Sequence, residues 1–185
     1  MPNLKKLRLE RVTPWMTNDD LIILTQGTEN LVELSLLGCR LLNPDSLDII
    51  SKGWPGLISI HLEECGEITA NGASSIFNCS ALEDLLLRHN GHGIHGSFVV
   101  DAALKLPMLR RLSLDLCDAC EGDFDIPSYS DRCFLSIVKI ARCKFQKSSS
   151  KTEFLESRRR LVHKGTFVLV WNGKELVRTV VKERL

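Results

Sequence analysis

The sequence predicts an α/β chain wound as a right-handed solenoid, with short parallel strands on a concave side, helices on the convex side, and a helix plus β-hairpin closing the C-terminal end. Three observations carry that expectation. Six copies of the spacing L-x-x-L-x-L occur at Leu4/Leu7/Leu9, Leu31/Leu34/Leu36, Leu57/Ile60/Leu62, Leu82/Leu85/Leu87, Leu109/Leu112/Leu114 and Leu135/Val138/Ile140, their first residues 27, 26, 25, 27 and 26 positions apart. Three positions past the last apolar residue of each copy stand Val12, Cys39, Cys65, Asn90, Cys117 and Cys143. Between the copies lie segments with helix caps and helix-spaced apolar residues.

A period this steady, at this length and spacing, is the mark of a leucine-rich repeat. Each copy is a short strand, after which the chain must turn sharply with backbone groups facing inward, away from water. Asn at such a turn can bond the neighbouring coil's backbone, and Cys fills the same slot as a small apolar group with a weak donor. Cys39, Cys65, Asn90, Cys117 and Cys143 are therefore assigned to structure. Thr17 caps a helix carrying Leu21 and Leu24, and Asn43-Pro44 opens one that carries Leu47 and Ile50 and closes at Gly53. Ser97 opens another, with Val99, Val100, Ala103 and Leu104 on its apolar side and Pro107 past its end. Helical crossovers between parallel strands are right-handed, which places strands on one face and helices on the other. The leucines then stack into one core, and Leu85→Ala is expected to cost about 2–5 kcal/mol, read as a lowered melting midpoint.

After Cys117 the pattern thins. The stretch through Asp118, Glu121, Asp123, Pro127 and Ser130 lacks helical apolar spacing and reads as a loop. Residues 1–145 are assigned to the repeats and 146–151, a Lys/Ser tract, to a linker; residues 152–185 form a terminal cap. In that cap, Glu153 to Lys164 has the spacing of a helix. Thr166–Trp171 and Lys174–Val181 flank Asn172-Gly173, the strongest short hairpin signal. At the other end the first strand starts at Leu4 with no capping segment before it, which suggests the C-terminal part of a longer protein.

Composition excludes several classes of function. Twenty-four basic against twenty-three acidic residues leave a net charge of +1, too little to draw nucleic acid or an anionic membrane. No apolar run approaches a membrane span, and the first residues are charged rather than signal-like. Four of the seven cysteines sit at the turn position and the total is odd, so reduced thiols and a cytosolic or nuclear setting are expected.

The L-x-x-L-x-L spacing, the Cys at the turn, the period near 26 and a Cys before the next strand, as in Asn78-Cys79-Ser80, resemble the cysteine-containing leucine-rich repeats of F-box proteins. The closing segment Leu161 to Leu185, with its Val-Leu-Val-Trp and Val-Val-Lys-Glu-Arg-Leu runs, looks like the end of plant BTB/F-box-type repeat proteins. The resemblance implies that the repeats hold a protein substrate while an F-box or BTB domain, which nothing in this sequence matches, docks on a cullin-RING ubiquitin ligase. Asn90 in place of Cys and a missing fifth helix depart from the family pattern, so a relative's target does not carry over. A ubiquitin-independent scaffold or inhibitor is the alternative.

Residues between the leucines point to the concave side because side chains alternate along a strand. The candidate protein-binding residues are Arg8, Glu33, Leu37, His61, Glu63, Asp84, Leu86, Arg88, Arg111 and Asp115, accompanied by Lys6, Glu10, Ser35, Ser59, Ser113, Ile137, Lys139 and Ala141. Five acidic and five basic groups with no aromatics do not make a nucleic-acid groove. Leu37 and Leu86 in a charged surround suit a protein or peptide partner. Replacing Leu86 and Arg88 together by Glu is expected to abolish capture without unfolding.

Two motifs compete with this reading. Gly91-His92-Gly93-Ile94-His95-Gly96 is a literal G-x-G-x-x-G, but polar Arg88, His89 and Asn90 precede it where a dinucleotide fingerprint needs a strand end. His92 and His95 with Cys117 and Cys120 have ligand types for zinc on adjacent coils, yet Cys117 already serves the turn and the histidines stand on a glycine loop. No cofactor and no catalytic constellation is assigned, since no nucleophile, base and orienter fall at recognisable spacing.

Overall fold

The computed structural model describes residues 1–116, 137–145, 161–171 and 176–181, apart from Val12, Glu67, Thr69 and residues 91–93. Eight strands form one sheet in chain order: β1 (Lys6–Glu10), β2 (Glu33–Leu37), β3 (Ser59–Glu63), β4 (Asp84–Arg88), β5 (Arg111–Leu116), β6 (Ile137–Phe145), β7 (Leu161–Trp171) and β8 (Leu176–Val181). β1 to β6 pair in parallel, while β7 and β8 add on antiparallel. Leu7, Leu34, Ile60, Leu85, Leu112 and Val138 lie abreast, and so do Leu9, Leu36, Leu62, Leu87, Leu114 and Ile140. A slip of one residue would exchange these leucines for charges, so the pattern fixes the register. This arrangement is compatible with leucine-rich-repeat coils.

Helices fill the connections of the first coils. α1 (Asn18–Gly27) starts as expected at Thr17, which forms a capping box with Asp20. The Thr17 backbone N–H donates to the Asp20 carboxylate at 2.8 Å and holds that group below its ordinary pKa. α2 (Ser46–Gly53) begins two residues later than the expected Pro44. Asn43 explains the delay by forming a turn of its own, accepting from the Asp45 N–H at 2.9 Å while its own N–H bonds Ser46 Oγ at 3.0 Å. α3 (Ala70–Ser74) is short and continues as a 3-10 turn over Ser75–Asn78. Its signal is faint because Gly72 passes so close to the preceding coil that an added Cβ would lie 2.3 Å from the Pro44 carbonyl oxygen. α4 (Ser97–Lys105) buries Phe98, Val99, Ala102 and Ala103; Leu104, expected on its apolar side, is 72% exposed. α1 packs on α2, and α2 on α3 and the 3-10 turn.

The core is the stacked leucines. In the second to fifth copies all twelve spine residues, Leu31 through Leu114, are at most 2% exposed, whereas Leu4, Leu7 and Leu9 of the first are only partly covered. Leu85 is fully buried, as the cost expected for its truncation requires.

Backward-reaching hydrogen bonds stitch each coil to the one before it. Backbone N–H groups of Val32 and Glu33 donate to Lys5 O, those of Ile58 and Ser59 to Val32 O, those of Glu83 and Asp84 to Ile58 O, and those of Arg110 and Arg111 to Glu83 O. At the turn position the side chain of Asn90 does the same, its Nδ2 donating to Leu62 O at 2.8 Å and its Oδ1 accepting from the Cys65 N–H at 2.8 Å. Cys65 repeats the donating half one coil earlier, its Sγ donating to Leu36 O at 3.2 Å. Cys39 and Cys65 titrate as a pair: interaction with the neighbouring thiol holds Cys39 below the ordinary thiol range and, together with burial, pushes Cys65 above it. At the opposite end of the coils Trp54 Nε1 donates to Thr28 O at 2.9 Å.

Two expectations near the C-terminus change. Cys143, expected at a turn, lies within β6, because pairing with β7 carries that strand on to Phe145 across a register irregularity between Ala141 and Cys143. Leu161–Lys164, expected as the end of a helix, belong to β7, where the run through Val162, Thr166, Phe167, Val168 and Val170 favours extended backbone. The rest of that helix, the fifth-coil loop, Cys117, the 146–151 linker and the Asn172-Gly173 turn lie outside the described residues. β7 and β8 pair from Thr166↔Val181 to Trp171↔Leu176.

Candidate functional site

The parallel register turns the outward strand residues into three rows across one open face. The first runs Lys6, Glu33, Ser59, Asp84 and Arg111; the second runs Arg8, Ser35, His61, Leu86 and Ser113. Glu10, Leu37, Glu63 and Arg88 form the third, and Asp115 pairs with Ala141 on the strands beyond them. Every candidate binding residue falls on this face. Thirteen residues line a concavity of about 530 Å³ at its β1–β4 end, with Leu37, His61 and Leu86 among them.

Charge on this face is balanced locally. Lys6 Nζ lies 2.6 Å from Glu33 Oε1, and Arg8 pairs with Glu10. Asp84 pairs with Arg111 at 2.8 Å, and His61 Nε2 lies 3.1 Å from the same carboxylate. His89 Nε2 is 3.6 Å from Glu63. The exposed pairs contribute about 0–1 kcal/mol each.

Arg88 and Asp115 behave differently. They face each other at 2.8 Å with side chains 13% and 3% exposed, and Asp115 also accepts the His89 backbone N–H. Removing one member of so covered a pair costs about 3–5 kcal/mol, because the other charge is left unpaired. Asp115 departs from the expected binding role: its side chain is buried, and it holds the turn after β4 through the His89 N–H. Arg88→Glu would press two carboxylates together and unfold the region, so Leu86→Glu alone is the informative change.

The sharp turn after each strand is as expected, but its left-handed backbone is not foreseen in the sequence reading. Arg11, Gly38, Glu64 and His89, each two residues past the last spine leucine, all have left-handed backbone, with φ of 52°, 82°, 54° and 57°. Gly38 was the signal. Its place in the period marks the sharp bend, and the same bend brings Arg11 within 3.1 Å of Glu64 and aims His89 at Glu63.

Of the possible zinc ligands, His92, Cys117 and Cys120 lie outside the described residues, and His95 Nδ1 is 3.1 Å from Ser97 Oγ. Among the described residues no three His, Cys, Asp or Glu side chains converge on a metal position, and no helix is long and apolar enough to cross a membrane. Cys39, Cys65 and Cys79 are free thiols.

The class these features define is a parallel α/β protein presenting a broad, ion-paired sheet face. No family model matches the chain. Over its full length it is 59% identical, across 186 aligned residues, to the BTB/POZ domain-containing protein FBL11 of Arabidopsis thaliana. The chain spans 19% of the length of that curated relative.

Proposed function

We propose that this chain is a right-handed leucine-rich-repeat solenoid acting as a protein-recognition module, the substrate-holding part of a cullin-RING ubiquitin ligase receptor, working in the cytosol or nucleus. The observation that carries the reading is the in-register row of outward residues over successive parallel strands, found in a chain 59% identical to a BTB/POZ protein. The free buried thiols support a reducing compartment. Its mechanism is positioning: holding a target beside a ubiquitin-loaded enzyme raises effective concentration without the module itself doing chemistry.

Affinity capture of a longer protein containing this region, with and without Leu86→Glu, tests the proposal. Cullin should co-purify with both forms, while a set of target proteins is lost from the variant and accumulates in cells that carry it. Absence of cullin from both captures would overturn the ligase assignment, and an unchanged target set would overturn the face.

A further inference from the structure

The open face also specifies the chemistry of what it holds. We infer that it takes an extended peptide segment of no net charge, with one apolar side chain seated between Leu37 and Leu86; this deepens the receptor reading and rests on it.

Two observations converge. Each cation that β1–β5 place on the face already has a carboxylate partner, through Lys6–Glu33, Arg8–Glu10, Arg111–Asp84 and Arg88–Asp115, while Glu63 stands 3.6 Å from His89 Nε2. Four cations stand against five carboxylates, so an incoming charge meets almost no field and must displace a pair to gain a contact. Charge complementarity here therefore means an uncharged partner.

The second observation is where the apolar surface sits. Leu37 and Leu86 are the two apolar outward residues of β2–β5, and they line the same concavity from strands two apart, with His61 on the strand between them. Burying a leucine-sized side chain there supplies about 1.5–3 kcal/mol, more than any exposed ion pair on the face. Ser35 and Ser59 line the same hollow and offer hydroxyls to peptide groups.

The test uses the 185-residue chain and three pools of short, end-blocked peptides with a central Leu or Phe, flanked by Ser/Gln/Ala, by Asp/Glu or by Lys/Arg. Fluorescence anisotropy should show the uncharged pool bound tightest, with Kd changing less than about twofold between about 50 and about 500 mM salt. Leu86→Glu should weaken it about tenfold or more at an unchanged melting midpoint, while Leu104→Glu on the exposed side of α4 leaves it unaltered. Preference for either charged pool, a steep salt dependence, or no binding by any pool would overturn the inference. None of those results bears on cullin association, so the two readings fail separately.

Discussion

At the scale of single residues, the turn position shows how two unlike side chains do one job. Asn90 and Cys65 each donate to a carbonyl of the preceding coil, and Asn90 also accepts from a backbone N–H there, so Cys can take over the donating half of the Asn contact. Asn90→Ala strands the Cys65 N–H and the Leu62 carbonyl in a dry interior and is expected to cost about 2–4 kcal/mol, whereas Asn90→Cys should cost less. Urea denaturation of both variants checks the order. Cys79 makes a different prediction. Fully buried, its thiol is pushed by desolvation from the usual 9.0 to about 11. The unfolded chain loses that proton at lower pH than the folded one, so the contribution is complete below about pH 9 and fades as pH climbs through about 11. The stability difference between the native chain and Cys79→Ala should shrink across that window; a constant difference would show that burial does not govern the thiol.

At the scale of elements, spine leucines are not equal. Leu85 sits between covered neighbours and Leu7 on an edge strand is half-covered, so Leu85→Ala should cost about 2–5 kcal/mol and Leu7→Ala about half as much, measured as melting midpoints. Strands β1 to β5, α1 and its cap were legible because period-2 alternation and side-chain caps are local signals. α3 was not, since its brevity comes from the clearance between Gly72 and Pro44 of another coil. Nor was the reach of β6 and β7: pairing with a neighbour lengthens a strand beyond what its own residues announce, and so Cys143 and Leu161–Lys164 were misplaced. For the candidate face, alternation alone put the odd or even positions of β1–β5 on one side of the sheet, but which of them stay accessible depended on contacts between strands. The Arg88–Asp115 closure and the His89 bend appear only once coils lie side by side.

For the whole molecule, contacts run mainly between neighbouring coils, so protection against unfolding should be graded along the stack. Hydrogen exchange in this chain is expected to be slowest in β3 and β4 and fastest in β1, which among the described residues has a neighbour on one side only; equal rates in all three would mean that the stack opens as a single block. The backward direction of its stitching has a further consequence. Trp54, Cys65 and Asn90 all bond to carbonyls one unit earlier, and so do the amides entering β2, β3, β4 and β5. Each module thus meets its predecessor largely through peptide groups, carbonyl oxygens for the most part and at Cys65 an N–H, which nearly every amino acid supplies. Tandem duplication or loss of one entire module would keep the peptide part of each remaining joint, while side-chain seams such as Arg88–Asp115 would need their partner restored.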